Sequence, residues 1–213
     1  MISPLVWKVL SAILASLVTV RITSGLVAYN AANKLERPKY EVLERLGGGV
    51  EVRRYESYVV AEATMSPEGS SMRAASGNGF RACAGYIFGK KNRQQRTFAM
   101  TAPVRMTSRA EAVKVSFVMA RNESLRTLPV PTDANVKLKA IPAHVAAFAR
   151  FSGRPPRESV VERKRRLVET KLGTSRFRPL RDADTLVYGY HDPFLTPNLL
   201  RRNEVGFFVD PKP

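Results

Sequence analysis

The segment Val50-Glu-Val-Arg-Arg-Tyr-Glu-Ser-Tyr-Val-Val-Ala-Glu-Ala63 aligns with Val136-Lys-Leu-Lys-Ala-Ile-Pro-Ala-His-Val-Ala-Ala-Phe-Ala149 at an offset of 86 residues. Each begins with apolar and charged residues in alternation, the period of a half-buried strand, then passes into small and β-branched residues typical of a more deeply buried one. A helical stretch follows each, Ser70 to Gly89 and Pro155 to Gly173, with the two glycines as stops and Pro155-Pro156 as a start. Strand pairs come next: Thr97 to Met106 with Val113 to Ala120, then Thr185 to Tyr190 with Val205 to Val209. The order strand, helix, strand, strand therefore occurs twice. A repeat of this length predicts two similar halves rather than a solenoid. Two such halves can curl their sheets into one barrel-like core with a helix of each packed outside.

The chain, 213 residues long, is the size of one domain built this way. Its lone cysteine, Cys83, cannot form an intramolecular disulfide, so the fold rests on packing. An ordinary apolar share of 44%, with prolines and glycines spread out, excludes collagen, a disulfide scaffold and general disorder. The excess of 35 basic over 18 acidic residues, a net charge of +17, predicts an anionic partner: nucleic acid, an acidic membrane surface or a carboxylate-bearing ligand. Much of that charge falls on the second helix, at Arg163, Lys164, Arg165, Arg166 and Lys171, and on its flanks. A nucleic-acid module would pair it with a recognition helix or exposed stacking aromatics. The aromatic residues here fall at core positions of strands and helices, so nucleic acid is not an expected partner. An anionic membrane surface stays open, beside the plainer reading of this charge as a solvated helix face.

Residues Leu5 to Val20 form an apolar run broken only by Lys8, and residues 1–33 carry no acidic side chain. The uninterrupted part, Val9 to Val20, matches the apolar region of a secretory signal. With Lys8 reaching the interface, Pro4 to Val20 becomes a short single-pass anchor. Arg21, Lys34, Arg37 and Lys39 follow the run and oppose export of the C-terminal part. Three readings stay open: a membrane anchor or uncleaved signal, a cleaved signal of an exported protein, and an organellar import segment. Residues 1–37 are accordingly set apart as signal or anchor plus linker, and 38–213 as the domain.

In the first helix Phe80, Ala84, Ile87 and Phe88 fall at helical spacing with Cys83 beside them; upstream, Gly77, Asn78 and Gly79 weaken it, and a start near Phe80 is expected. Enzyme motifs are absent from the sequence. Gly85-Tyr-Ile-Phe-Gly-Lys90 is one residue short of a phosphate loop and lacks the following Ser or Thr. Gly47-Gly-Gly49 reads as a turn, and no nucleophile elbow, His-Glu-x-x-His pair or cysteine cluster occurs. A non-catalytic protein without a metal centre is expected. His144 takes the place of Tyr58 in the repeat and His191 sits in a Gly-Tyr-His-Asp-Pro turn. Packing or local structure is the default for both, and for Met100 and Met106.

Several motifs carry a resemblance: Tyr40-Glu-Val-Leu, Val50-Glu-Val-Arg-Arg-Tyr, Ala84-Gly-Tyr-Ile-Phe-Gly-Lys, Ala99-Met-Thr-Ala-Pro-Val104, Leu128-Pro-Val-Pro, Gly189-Tyr-His-Asp-Pro-Phe, and above all Arg201-Arg-Asn-Glu-Val205. Over about residues 38–210 the chain resembles the SOUL haem-binding protein family. The resemblance implies an α+β fold: a distorted antiparallel β-barrel of two pseudo-symmetric strand-helix-strand-strand halves with two flanking helices, here preceded by an N-terminal apolar helix. It also implies haem or another tetrapyrrole as a non-covalently bound, non-catalytic ligand, with roles in transport, buffering or storage. The axial histidine of some members falls here on Arg54 and is not carried over. Other members are implied to hold the ligand in an apolar groove over the first helix, with basic side chains at the propionates; the aligned basic positions include Gly77 and Gly85 here. The expected site is therefore a wall of Phe80, Ala84, Ile87 and Met100, with Arg54, Arg73 or Arg81 at the propionates and His144 as the alternative ligand.

Overall fold

The computed structural model describes residues 4–66, 72–109 and 112–213. Helix α1 (Pro4–Asn33) leads into β1 (Tyr40–Arg45), β2 (Val50–Tyr55) and β3 (Tyr58–Met65), then α2 (Met72–Ile87), β4 (Val104–Arg109), β5 (Ala112–Val118) and β6 (Val136–Ile141). The second part runs β7 (His144–Phe151), α3 (Glu158–Leu172), β8 (Phe177–Pro179), β9 (Thr185–Gly189), a short 3-10 turn (Asn198–Leu200) and β10 (Asn203–Pro211). All strand pairs are antiparallel, in the order β1-β2-β7-β10-β9-β4-β5-β3-β6, with β8 on the end of β10. The sheet curls into a half-barrel whose two ends are β1 and β6.

The repeat at an offset of 86 is written into the hydrogen-bond register. In the β2–β7 ladder Val50 faces Ala149 and Tyr55 faces His144. In the β3–β6 ladder the counterparts pair the same way: Val136 faces Ala63 and Ile141 faces Tyr58. Strands β3 and β7 share one burial pattern, and α2 and α3 start 86 residues apart. The β4–β9 ladder, from Val104 opposite Gly189 to Ser108 opposite Thr185, sits at the centre and joins the halves. Because β2 pairs in one half and β3 in the other, and likewise β6 and β7, the chain crosses between the halves twice.

Strand alternation divides the side chains between two faces. On the outer face Ala61, Ala63, Val113, Val115 and Phe117 meet Ala82, Cys83, Tyr86 and Ile87 of α2. In the other half Val50, Val52, Ala147, Ala149, Val205 and Phe207 stand on that face, most of them clustered with Val168 and Leu172 of α3. The inner face carries Tyr55, Ala146, Phe148, Leu186 and Tyr188. Three local expectations change. The first helix runs straight through Gly77 and Gly79, because α2 lies so close to β5 that a Cβ at Gly79 would stand 2.7 Å from Val115 Cγ2. Its buried side centres on Cys83 and Tyr86, leaving Phe80 and Phe88 43% and 54% exposed. Strand β4 begins only at Val104, after Pro103, where the chain leaves a non-strand segment.

The glycines at 47, 48 and 49 all take positive φ and turn β1 into β2. Helix α1 is exposed on every side from Val6 through Ser24, and by length and composition it fits a membrane anchor or a signal sequence.

Candidate functional site

On the inner face, β2 and β10 bring Arg53 and Glu204, 1% and 0% exposed, into a bidentate pair at 2.8 and 2.9 Å. Tyr190 donates its hydroxyl to Glu204 at 2.7 Å, and Arg202 adds bonds of 2.6 and 3.0 Å. The Arg53 guanidinium also lies 4.7 Å over the Tyr40 ring. Burial pushes the Glu204 carboxyl up. The bonds and charge of Arg53, joined by Arg202 and Tyr190, outweigh it and hold the group below the ordinary carboxylate value. The glutamate of Arg-Arg-Asn-Glu-Val is thus a charged rivet between strands, already satisfied by its own chain.

Beside it stands a less satisfied group. Arg105 on β4 is 7% exposed and donates Nε–H to Tyr188 at 3.1 Å, while its Nη1 is buried without a hydrogen-bond partner. Tyr58 Oη and His144 Nε2 are buried and unpartnered as well. The three belong to one cluster, since Arg105 lies over the Tyr58 ring at 5.3 Å and the rings of Tyr58 and His144 are 5.9 Å apart. An incompletely paired buried guanidinium favours an anion or an ordered water beside it. Burial, aided by the Arg105 charge and opposed by the bond to Pro142, lowers the His144 pKa and keeps the imidazole neutral. With Nδ1 donating to the Pro142 carbonyl at 2.8 Å, Nε2 holds the lone pair that a metal would use. That nitrogen is closed in by Tyr55, stacked at 5.1 Å, and by Tyr58 and Phe208 edge-on.

The expected residues fall into two places. Arg54, on β2 opposite Val145, lines an open groove of about 440 Å³ with Lys39, Tyr40, Glu41, Tyr55, Glu56 and Ala143, and pairs with Glu41 at 3.3 Å. His144 stacks behind Tyr55 of that groove. The other group lies on α2. Phe80 packs edge-on against Phe117 yet keeps much of its ring in solvent, Ala84 is half-buried one turn on, and exposed Phe88 extends the same line. Ile87 is closed in the core below, and Met100 packs against that core half-buried. Arg81 is exposed and bonds Asn78. The side chain of Arg73 lies outside the described residues.

This strip meets the demands of a flat, largely apolar ligand with acidic arms: aromatic surface in the open and a cation beside it. Cys83 stands beneath, donating weakly to the carbonyls of Ala61 and Val115, and burial pushes its thiol up to about 12, so it is a packing residue. Among the described residues no group of three or more His, Cys, Asp or Glu side chains gathers to hold a metal ion. Sequence reasoning left Phe88, Arg105 and the Arg53–Glu204 pair outside the site. The available signal was charge at alternate, otherwise apolar strand positions.

No curated protein matches the chain. Among solved structures, the EcmrR C-terminal domain is similar at 11% identity and a TM-score of 0.54, covering 81% of this chain and 99% of that one. An uncharacterized conserved protein from Listeria innocua is similar at 12% identity and a TM-score of 0.54, covering 76% and 92%. A hydrolase from Listeria innocua gives 11%, 0.52, 76% and 91%. At such identity these likenesses concern the fold alone. The sequence profile of the SOUL heme-binding protein family matches residues 35–208, most of the chain and both halves of its repeat, and the chain belongs to that family.

Proposed function

We propose that the domain from residue 38 onward binds haem or a related tetrapyrrole non-covalently, for transport, buffering or storage, without catalysing a reaction on it. The observation that carries this reading is the family match over residues 35–208, joined on this chain by the exposed Phe80–Ala84–Phe88 strip. The macrocycle lies on that strip, with Ile87 and Met100 as its backing and Arg81 at the propionates. Arg54, engaged by Glu41 at the separate groove, and His144, enclosed by rings, are left out of the contact. Titration of the full chain in detergent with haemin should give a saturable shift of the Soret band. No shift at micromolar haemin would overturn the proposal.

The alternative, a membrane-surface module working through the basic second helix with tetrapyrrole binding incidental, has less support in the geometry. The five basic side chains of α3 are accompanied by three glutamates. Two of its arginines are paired within the helix, Arg165 with Glu169 and Arg166 with Glu162.

A further inference from the structure

The loop between β9 and β10 has a construction that tetrapyrrole binding leaves unexplained. Phe194 and Leu199 are 78% and 88% exposed, and Leu195 and Leu200 are exposed beside them. The loop is nonetheless firmly built. Asp192 Oδ1 accepts from the backbone N–H of Phe194 and Leu195 at 2.7 and 2.6 Å, buried Arg201 donates to the Thr196 carbonyl at 2.7 Å, and Gly153 N–H donates to the Asn198 carbonyl at 2.9 Å. Four large apolar side chains are thus held outward by an ordered backbone, which a water-facing loop has no reason to do.

The same loop is where α1 docks. Arg21 donates to the Phe194 and Leu195 carbonyls, both at 2.7 Å. Gly25 is buried against Pro197, so close that a Cβ there would lie 2.9 Å from the proline ring. Tyr29 stacks on His191 at 5.2 Å. These contacts form a ladder along one helix. Rising about 1.5 Å per residue, α1 places Gly25 about 6 Å and Tyr29 about 12 Å beyond Arg21, so the Phe194–Leu195 tip is the part of the loop nearest the apolar run. That run, Pro4 to Val20, is about 25 Å long, close to the hydrocarbon thickness of a bilayer, and ends where the tip begins. Arg21 and Arg154 both act on Arg201: burial lowers its pKa, Asp192 opposes this, and the charges of Arg21 and Arg154 add to the lowering.

We propose that α1 is retained as a membrane anchor and that the Phe194–Leu200 loop is a second membrane contact, inserting Phe194, Leu195 and Leu199 into the interface beside Arg21 and Arg154. The anchor and loop form one surface, an apolar span flanked by an apolar wedge with a basic rim, and it fits a bilayer with anionic headgroups. Two attachment points fix the orientation of the half-barrel over the membrane, which a single flexible tether would not. Arg163 of α3 is exposed and takes no part in these contacts, so it serves as the position outside that surface.

The test uses the full chain reconstituted in phosphatidylcholine/phosphatidylglycerol vesicles, with single cysteines F194C, L199C and, on α3, R163C carrying an environment-sensitive nitrobenzoxadiazole label. Cys83 is buried and stays unlabelled, and the three chosen side chains project into solvent, so folding is undisturbed. The result expected is blue-shifted emission at 194 and 199, quenched by nitroxide near the headgroups, with water-like emission at 163. Trp7 of the anchor should be quenched by brominated acyl chains in the same samples. Water-like emission at 194 and 199 while Trp7 is quenched would overturn the wedge. Failure of Trp7 to be quenched would overturn the retained anchor and the proposal with it.

Discussion

The two halves of the molecule share a backbone and differ in what they present. Ala82 and Val168, 86 residues apart, are both buried under their helices, as are Tyr86 and Leu172. On the opposite side of the helices the equivalence breaks: Phe80 corresponds to Arg166, and Phe88 to Thr174. Helix α2 thus offers aromatic surface where α3 offers charge. The ladders under them are kept in one register by the same alternation of apolar residues, and only the outward positions are free to diverge. The proposed ligand site lies on the half whose helix carries exposed aromatics.

The inner face makes the same point with ion pairs. Arg53 and Lys139 are equivalent at the offset of 86 and each meets a glutamate. Arg53–Glu204 is sealed from water, whereas Lys139 bonds Glu62 at 2.6 Å with the lysine side chain 43% exposed. The largest expected effect therefore comes from Glu204→Gln, which removes the fully buried counter-charge of Arg53, leaves it only the partly exposed Glu51 at 2.9 Å, and should cost about 3–5 kcal/mol. Lys139→Ala, at the equivalent place, should cost about 1 kcal/mol or less. Urea unfolding of both variants measures the contrast, and equal losses would mean that the two pairs do the same work. Because the folded-state pKa of Glu204 is depressed, its contribution is present above the unfolded carboxylate value and is lost as pH falls through the folded one. Glu204→Gln should flatten that acid limb.

A smaller effect follows from how closely each helix approaches its strands. Gly79 lets α2 rest on Val115, while its equivalent Arg165 reaches past α3 to bond the Ala183 carbonyl and Thr185. Gly79→Ala should cost about 1–3 kcal/mol by overpacking, and Arg165→Ala, at a partly exposed site, about 1 kcal/mol or less. Thermal unfolding compares them, and a tolerated Gly79→Ala would contradict the close approach.

The smallest effect concerns Tyr58 and His144, equivalent residues of which only the second titrates near neutrality. The His144 pKa is lowered in the folded state, so the unfolded chain binds its proton more readily. Stability is complete above about pH 6.5 and declines as pH falls toward the folded-state value. His144→Phe, which keeps an aromatic ring in the stack, should reduce that slope in urea midpoints taken across the window. His191, lowered by burial and by Arg37, Arg202 and Arg150, leaves a residual slope of the same sign. An unchanged slope in His144→Phe would show that the imidazole is not the group responsible.

Most of the fold was legible because the repeat rests on local alternation, which a sequence displays directly. The Val50–Ala63 and Val136–Ala149 segments, both helices and the Gly47–Gly49 turn could be read in this way. The packed side of α2 was not, since apolar residues lie on more than one of its faces, and only the sheet below decides that Cys83 and Tyr86 turn inward while Phe80 and Phe88 stay out. The Arg53–Glu204 pair was also hidden, its members being 151 residues apart and joined only by the β2–β7–β10 order. For the same reason the sequence does not separate Arg54 and His144 from the α2 residues, although Arg54 lines a separate groove and His144 lies enclosed behind its Tyr55.

The proposed function puts the tetrapyrrole on the exposed aromatic strip of α2 and not on the charged side of α3. Haemin titration of the full chain followed in the Soret band, comparing Phe80→Asp with Arg166→Asp at the equivalent position, tests it most directly. Phe80→Asp should weaken Kd at least about tenfold, the equivalent of about 1.4 kcal/mol, and Arg166→Asp should leave it unchanged. Equal affinities in the two variants, or a loss confined to Arg166→Asp, would contradict it.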